Sequence, residues 1–103
     1  FTLISDSQGH LVLYAGCTHH SLDILLPYLF NELKITHLDA LIGGLHLMGR
    51  TQEQIAQSLS VSSHYDVRNW YINHCSGNEA VVEWQKKYGP HCHQAWTGDI
   101  IEI

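Results

Sequence analysis

Three short apolar runs in this chain each end in the same way. Leu11-Val12-Leu13-Tyr14 leads into Gly16-Cys17-Thr18-His19, Ala40-Leu41-Ile42 into Gly43-Gly44-Leu45-His46-Leu47, and Trp70-Tyr71-Ile72 into His74-Cys75-Ser76-Gly77. Each run is followed by a segment of helical character. An apolar strand, a glycine-bearing turn, a histidine and then a helix, used three times over, specify an α/β chain with parallel strands. In such sheets the loops after the strands' carboxyl ends share one edge, which is where ligands bind. The spacing between successive histidines is about one strand–helix–strand unit, so His19, His46 and His74 are expected to converge on that edge.

The rest of the chain fills in around these runs. Phe1–Ile4 and His10–Tyr14 read as a hairpin turned by Ser5-Asp6-Ser7-Gln8-Gly9. Ser21 is placed to cap a helix running to about Leu33, with Pro27 inside it to kink it or delay its start. Thr51 and Gln54 form a capping-box pair at the start of a second helix. A third is expected over Asn78–Tyr88, stopped by Gly89, and closing strands over His93–Trp96 and Asp99–Ile103. The three apolar strands show no polar alternation, which predicts burial on both faces. Three helices can cover only one face. The other is expected to meet a missing half of the domain or a second copy, through Leu11, Leu13, Leu41, Trp70 and Ile72.

Charge and length exclude several classes. With 5 Lys+Arg against 10 Asp+Glu and a net charge of −5, the 103-residue chain lacks the basic face that nucleic acid or an anionic membrane surface requires. It has no apolar run of about 18 residues, hence no expected membrane span. The first residue is Phe1, which suggests a processed or excised piece. Three cysteines, Cys17, Cys75 and Cys92, cannot all pair and lack the framework of a secreted scaffold, so a reducing, cytoplasmic origin is expected.

Nine histidines stand in the chain, none in a tag-like run. Neutral imidazole is the commonest nitrogen ligand for zinc and also transfers protons near neutral pH. Three at equivalent strand ends point to metal binding or catalysis. Cys17, two residues before His19, could add a thiolate. The remaining histidines, His10, His20, His37, His64, His91 and His93, read as turn, helix-entry or strand-start residues. Asp23, Glu79 and Glu83 read as solvated helix faces, and no Ser-His-Asp arrangement is present.

At these motifs the sequence resembles the C-terminal half of metallo-β-lactamase-fold hydrolases. In particular it resembles the group similar to dihydropterin-ribofuranosyl-aminobenzene-phosphate synthase. Members of that group show Gly-Cys-Ser-His, Gly-Gly-Phe-His-Leu and His-Cys-Thr-Gly in this order; here Thr18, Leu45 and Ser76 replace the third residue of each of these motifs. The likeness extends to Ala95-Trp96-Thr97-Gly98-Asp99 and so over residues 1–103. It implies an α/β fold, half of an αββα sandwich, made of a mixed sheet with about three helices on one face. It further implies a metal-dependent hydrolase of small esters or phosphoesters that uses zinc, or manganese or iron. His19, His46, His74 and Cys17 map onto metal positions, with His46 alternatively a substrate-facing acid/base. The family's His-x-His-x-Asp-His cluster is absent from this chain, so the resemblance implies an N-terminal half as partner and little catalysis without it. Two other readings stay open: a non-catalytic metal-binding or interaction module, and a cysteine-dependent enzyme using Cys17 or Cys75.

Overall fold

The computed structural model describes residues 1–103, apart from the side chain of His74. Five strands form one sheet: β1 (Thr2–Ser5), β2 (Leu11–Gly16), β3 (Ala40–Gly43), β4 (Trp70–Ile72) and β5 (Cys92–Gln94), in that spatial order. β1 is antiparallel to β2, and all later pairings are parallel. Between the parallel strands run α1 (Leu22–Pro27), α2 (Gln52–Ser62) and α3 (Asn78–Tyr88). Because each parallel strand lies immediately beyond the previous one, crossovers of one hand place every helix on the same side of the sheet. A single apolar core follows, in which Leu13, Leu41, Trp70 and Ile72 pack with Leu22, Leu26, Leu29, Ile55, Ala80 and Trp84. The expected mixed sheet with three helices on one face is what forms.

Local chemistry explains most of the boundaries. In the hairpin turn the Asp6 carboxylate accepts from the amides of Gln8 and His10 at 2.9 Å, and it pairs with His10 Nδ1 at 2.7 Å. The α2 capping box is complete: Thr51 Oγ1 accepts from the Gln54 amide at 3.1 Å, and Gln54 Oε1 accepts from the Thr51 amide at 3.0 Å.

Three local expectations are corrected. Ser21 does not cap α1 with its hydroxyl; its backbone turns at φ 68°, and its carbonyl accepts from Ile24 and Leu25 instead. Pro27 ends the α-helical part, and Tyr28–Glu32 continue as a wider π-helical turn closed by the Leu33 amide on the Tyr28 carbonyl. Proline offers no amide to the preceding turn, and that is where the ladder changes. Asp99–Ile103 is no strand either. Asp99 folds back onto Trp96, its carboxylate accepting from the Trp96 amide at 2.8 Å, and the turn leads the chain off the sheet.

The sheet's second face is the larger correction. All five residues expected to meet a partner, Leu11, Leu13, Leu41, Trp70 and Ile72, lie on the helix-covered side, because side chains alternate along a strand. The open side carries Ile4, Val12, Tyr14, Ile42, Tyr71 and His93, in register across the sheet. Ile4 and Tyr14 are each 52% exposed, and the Tyr71 and His93 rings stack at 4.9 Å.

At the amino end of the parallel strands Asp39 ties three segments together. Its Oδ2 accepts from the Leu11 amide at 2.8 Å and lies 3.2 Å from His37 Nε2, while Oδ1 accepts from Arg68 at 3.1 Å. The Leu11 amide above all holds the carboxyl below its ordinary 3.8; burial, next in size, opposes it, and His37 and Arg68 add to the lowering. A depressed carboxyl stabilises the fold at pH values above its unfolded pKa, and that contribution is lost as pH falls through the lower folded value. Asp39→Asn is therefore expected to cost about 1–2 kcal/mol at pH 7. It should also flatten the loss of stability below about pH 4. Urea melts of both proteins across that range check both expectations.

Candidate functional site

The carboxyl ends of β2, β3 and β4 are bound to one another by main-chain hydrogen bonds. The Gly44 amide donates to the Gly16 carbonyl at 2.6 Å, the Asn73 amide to Gly43 at 3.2 Å, and the Met48 amide to Cys75 at 3.1 Å. Ser76, fully buried, accepts from the Leu45 amide at 2.9 Å. Packing this tight needs glycine at β3's end. A Cβ on Gly43 would meet the Gly16 carbonyl oxygen at 2.8 Å, and one on Gly44 would overlap Cys75 Sγ and stand 2.6 Å from Asn73 Oδ1.

This lacing sets the histidines. The rings of His19 and His46 lie with centroids 4.5 Å apart, tilted by 35°. His46 holds a left-handed backbone at φ 56°, and Thr18, next to His19, does so at φ 47°. Neither residue is glycine, so both turns store strain that the surrounding contacts must hold. His74 opens a 3-10 turn (His74–Ser76) directly after β4, hence along the same edge, and its imidazole lies outside the described residues.

The thiols behave differently from one another. Cys17 is exposed, and its carbonyl oxygen lies 3.9 Å from Cys75 Sγ. Burial pushes the Cys75 thiol above its ordinary value, the Cys17 thiol adds to that, and a backbone hydrogen bond at His46 partly opposes it. Cys75 is thus not a ready thiolate, which weakens the cysteine-nucleophile reading. Cys92 is buried with its thiol pushed up to about 11, while His91 faces Asn69 and His93 stacks on Tyr71. The His-Cys-His run therefore disperses.

The donor set has the chemistry of a metal site, imidazole with thiol close by, but it is incomplete among the described residues. Among the described residues no three His, Cys, Asp or Glu side chains converge as a metal site would require. Two imidazoles form one side of such a site at most.

Sequence reasoning missed the neighbouring cavity. A hollow of about 530 Å3 opens beside His19 and His46, between α1 and α2. Its lining includes Thr18, Asp23, Leu47, Arg50 and Ser58. Asp23, expected on a solvated face, instead has a buried carboxylate oxygen. Only the mid-helix serine of α2 hinted at this, as a small residue where two helices come together. For the strand-end lacing, Gly44→Ala is expected to cost about 1–3 kcal/mol through overpacking. Adding Cys75→Ala should return part of that loss, because Sγ is the nearest obstruction. Chemical denaturation of the two single variants and the double variant measures the coupling.

No family model matches the chain. It is 22% identical over 97 residues to 7,8-dihydropterin-6-methyl-4-(beta-D-ribofuranosyl)-aminobenzene-5'-phosphate synthase of Methanocaldococcus jannaschii. That alignment spans 94% of this chain and 33% of the relative. Among solved structures it superposes on a metal-dependent hydrolase of the beta-lactamase superfamily with a TM-score of 0.78 at 21% identity. The match covers 98% of this chain and 39% of that one. The chain thus spans well under half the length of both proteins. The likeness establishes its architecture: a mixed five-stranded α/β sheet with three helices, the fold of part of a metallo-β-lactamase-superfamily domain.

Proposed function

We propose that this chain is one half, the C-terminal one, of a metal-dependent hydrolase acting on a small ester or phosphoester. The observation that carries the reading is the apposition of His19 and His46 at adjoining strand ends, on a fold shared with such a hydrolase. In the proposal His19 and His46 hold one side of a divalent metal, zinc in the first instance, with His74 and Cys17 as further donors. His46 also borders the cavity, where its imidazole can accept or release a proton on a bound substrate. No step is assigned to the metal itself, because the donors among the described residues do not enclose one.

Calorimetric titration of the metal-free chain with zinc tests the ligand assignment. Saturable binding is expected, and His19→Ala or His46→Ala should each weaken it by more than about tenfold. Binding unchanged in both variants would remove these histidines from the site.

The partner in the proposal is the N-terminal half of the same domain, or a second copy, seated on the open sheet face. Apolar area left in water forgoes about 25 cal/mol per Å2 of burial. A strand surface presenting Ile4, Val12, Tyr14, Ile42 and Tyr71 is a large patch for a monomer to leave uncovered. The isolated chain is expected to self-associate in light scattering or to bind a hydrophobic dye. Tyr14→Lys together with Ile42→Lys should suppress both while leaving the helical circular-dichroism signal in place. A dye-silent monomer of the unmodified chain would count against the half-domain reading.

A further inference from the structure

Two of the three thiols meet across the end of β3. Cys17 follows β2 and Cys75 lies in the turn after β4, so β3 runs between them. Gly44 closes the gap. Cys75 Sγ occupies the place where a Cβ on Gly44 would stand. From there the Cys75 thiol donates to the Cys17 carbonyl at 3.9 Å. Burial above all, with a hydrogen bond to the Cys17 side chain among the further causes, raises the Cys75 thiol, so the two side chains are neighbours as well. Cys17 is exposed and Cys75 half-buried. Cys92 is buried and pairs in register with Trp70, at the opposite end of β4 from Cys75.

A disulfide forms between neighbouring thiols of which at least one can be reached by an oxidant. Cys17 offers the access and Cys75 the neighbour. We propose that Cys17 and Cys75 are a reversible redox site, closing into an intramolecular disulfide over Gly44 when a small-molecule disulfide such as oxidised glutathione is present. Cys17 gives up its proton, and its sulfur attacks one sulfur of the glutathione disulfide. A mixed disulfide forms, and the glutathione thiolate released takes up a proton. Cys75 Sγ then attacks Cys17 Sγ, its proton passing to the second departing glutathione. Two protein thiols are thereby oxidised to one disulfide, and one glutathione disulfide is reduced to two thiols. Cys75 holds its proton firmly, which slows the second attack; its position beside Cys17 offsets this, because the attack is intramolecular. The bond would join the loops after β2 and β4 in the layer that carries His19 and His46. It would also withdraw Cys17 as a metal donor; that consequence rests on the reading above, and the disulfide itself does not.

The test treats the full chain, reduced and stripped of metal with a chelator, with oxidised glutathione near neutral pH. Thiol titration, non-reducing electrophoresis and peptide mass mapping read the outcome. The free-thiol count is expected to fall from three to one. The chain should stay monomeric in electrophoresis, with the Cys17 and Cys75 peptides joined, and dithiothreitol should restore all three thiols. In Cys75→Ser the reaction should stop at the mixed disulfide on Cys17. In Cys17→Ser no disulfide between protein cysteines should form. The oxidised chain is expected to bind zinc at least about tenfold more weakly than the reduced one in calorimetry. A stable mixed disulfide on Cys17 beside a free Cys75 in the unmodified chain overturns the proposal. So does a bond to Cys92, or one made only between chains. No Cys17–Cys75 bond with zinc binding intact sinks this inference alone. A bond that forms while the reduced chain binds no zinc upholds the redox site and sinks the metal assignment alone.

Discussion

The close approach of the β3 end to its neighbours on both sides is what the rest of the site depends on. Gly43 and Gly44 lie against Gly16 on one side and Asn73 and Cys75 on the other, at separations no other residue permits. That contact lets the Gly44 amide reach the Gly16 carbonyl and draws the loops after β2, β3 and β4 into one layer. With side chains larger than hydrogen there, the strands would splay at their carboxyl ends. The 4.5 Å spacing of the His19 and His46 rings would be lost with them. A backbone requirement at two glycines thus sets the geometry of the chemistry.

The site is also strained where it matters. Thr18, Ser21 and His46 all hold φ between 47° and 68°, and all three line the cavity or border it. Left-handed backbone at non-glycine residues costs energy that the surrounding packing must offset. Here the offset comes from the apolar core beneath and the interstrand amides beside. The same turns fix two imidazoles and one buried hydroxyl with little freedom to relax. Such pre-organisation suits a binding site better than a merely structural bend.

Topology explains why one face of the sheet is open. Successive parallel strands laid down in one direction put all three helices on one face and leave the other with only side chains to cover it. In the proposed metal site the described residues likewise supply one side only.

The alternation of apolar runs, glycine turns and histidines was enough, read from the sequence, to give the strands, the approximate helix positions and the shared edge for the three motifs. These features depend on local periodicity and on turn chemistry, such as the Thr51–Gln54 cap, which neighbouring residues decide among themselves. The sequence did not distinguish the two faces of the strands. In an unalternating run every residue is apolar, and only the pleat and the side chosen by the helices determine that Leu13 is covered while Tyr14 is not. Nor did it reveal that Ser21 would turn left-handed, that the last residues would leave the sheet, or that Asp23 and Ser58 would enclose a cavity with Thr18. Those outcomes arise from contacts between residues far apart in the chain, and tertiary packing alone brings such residues together.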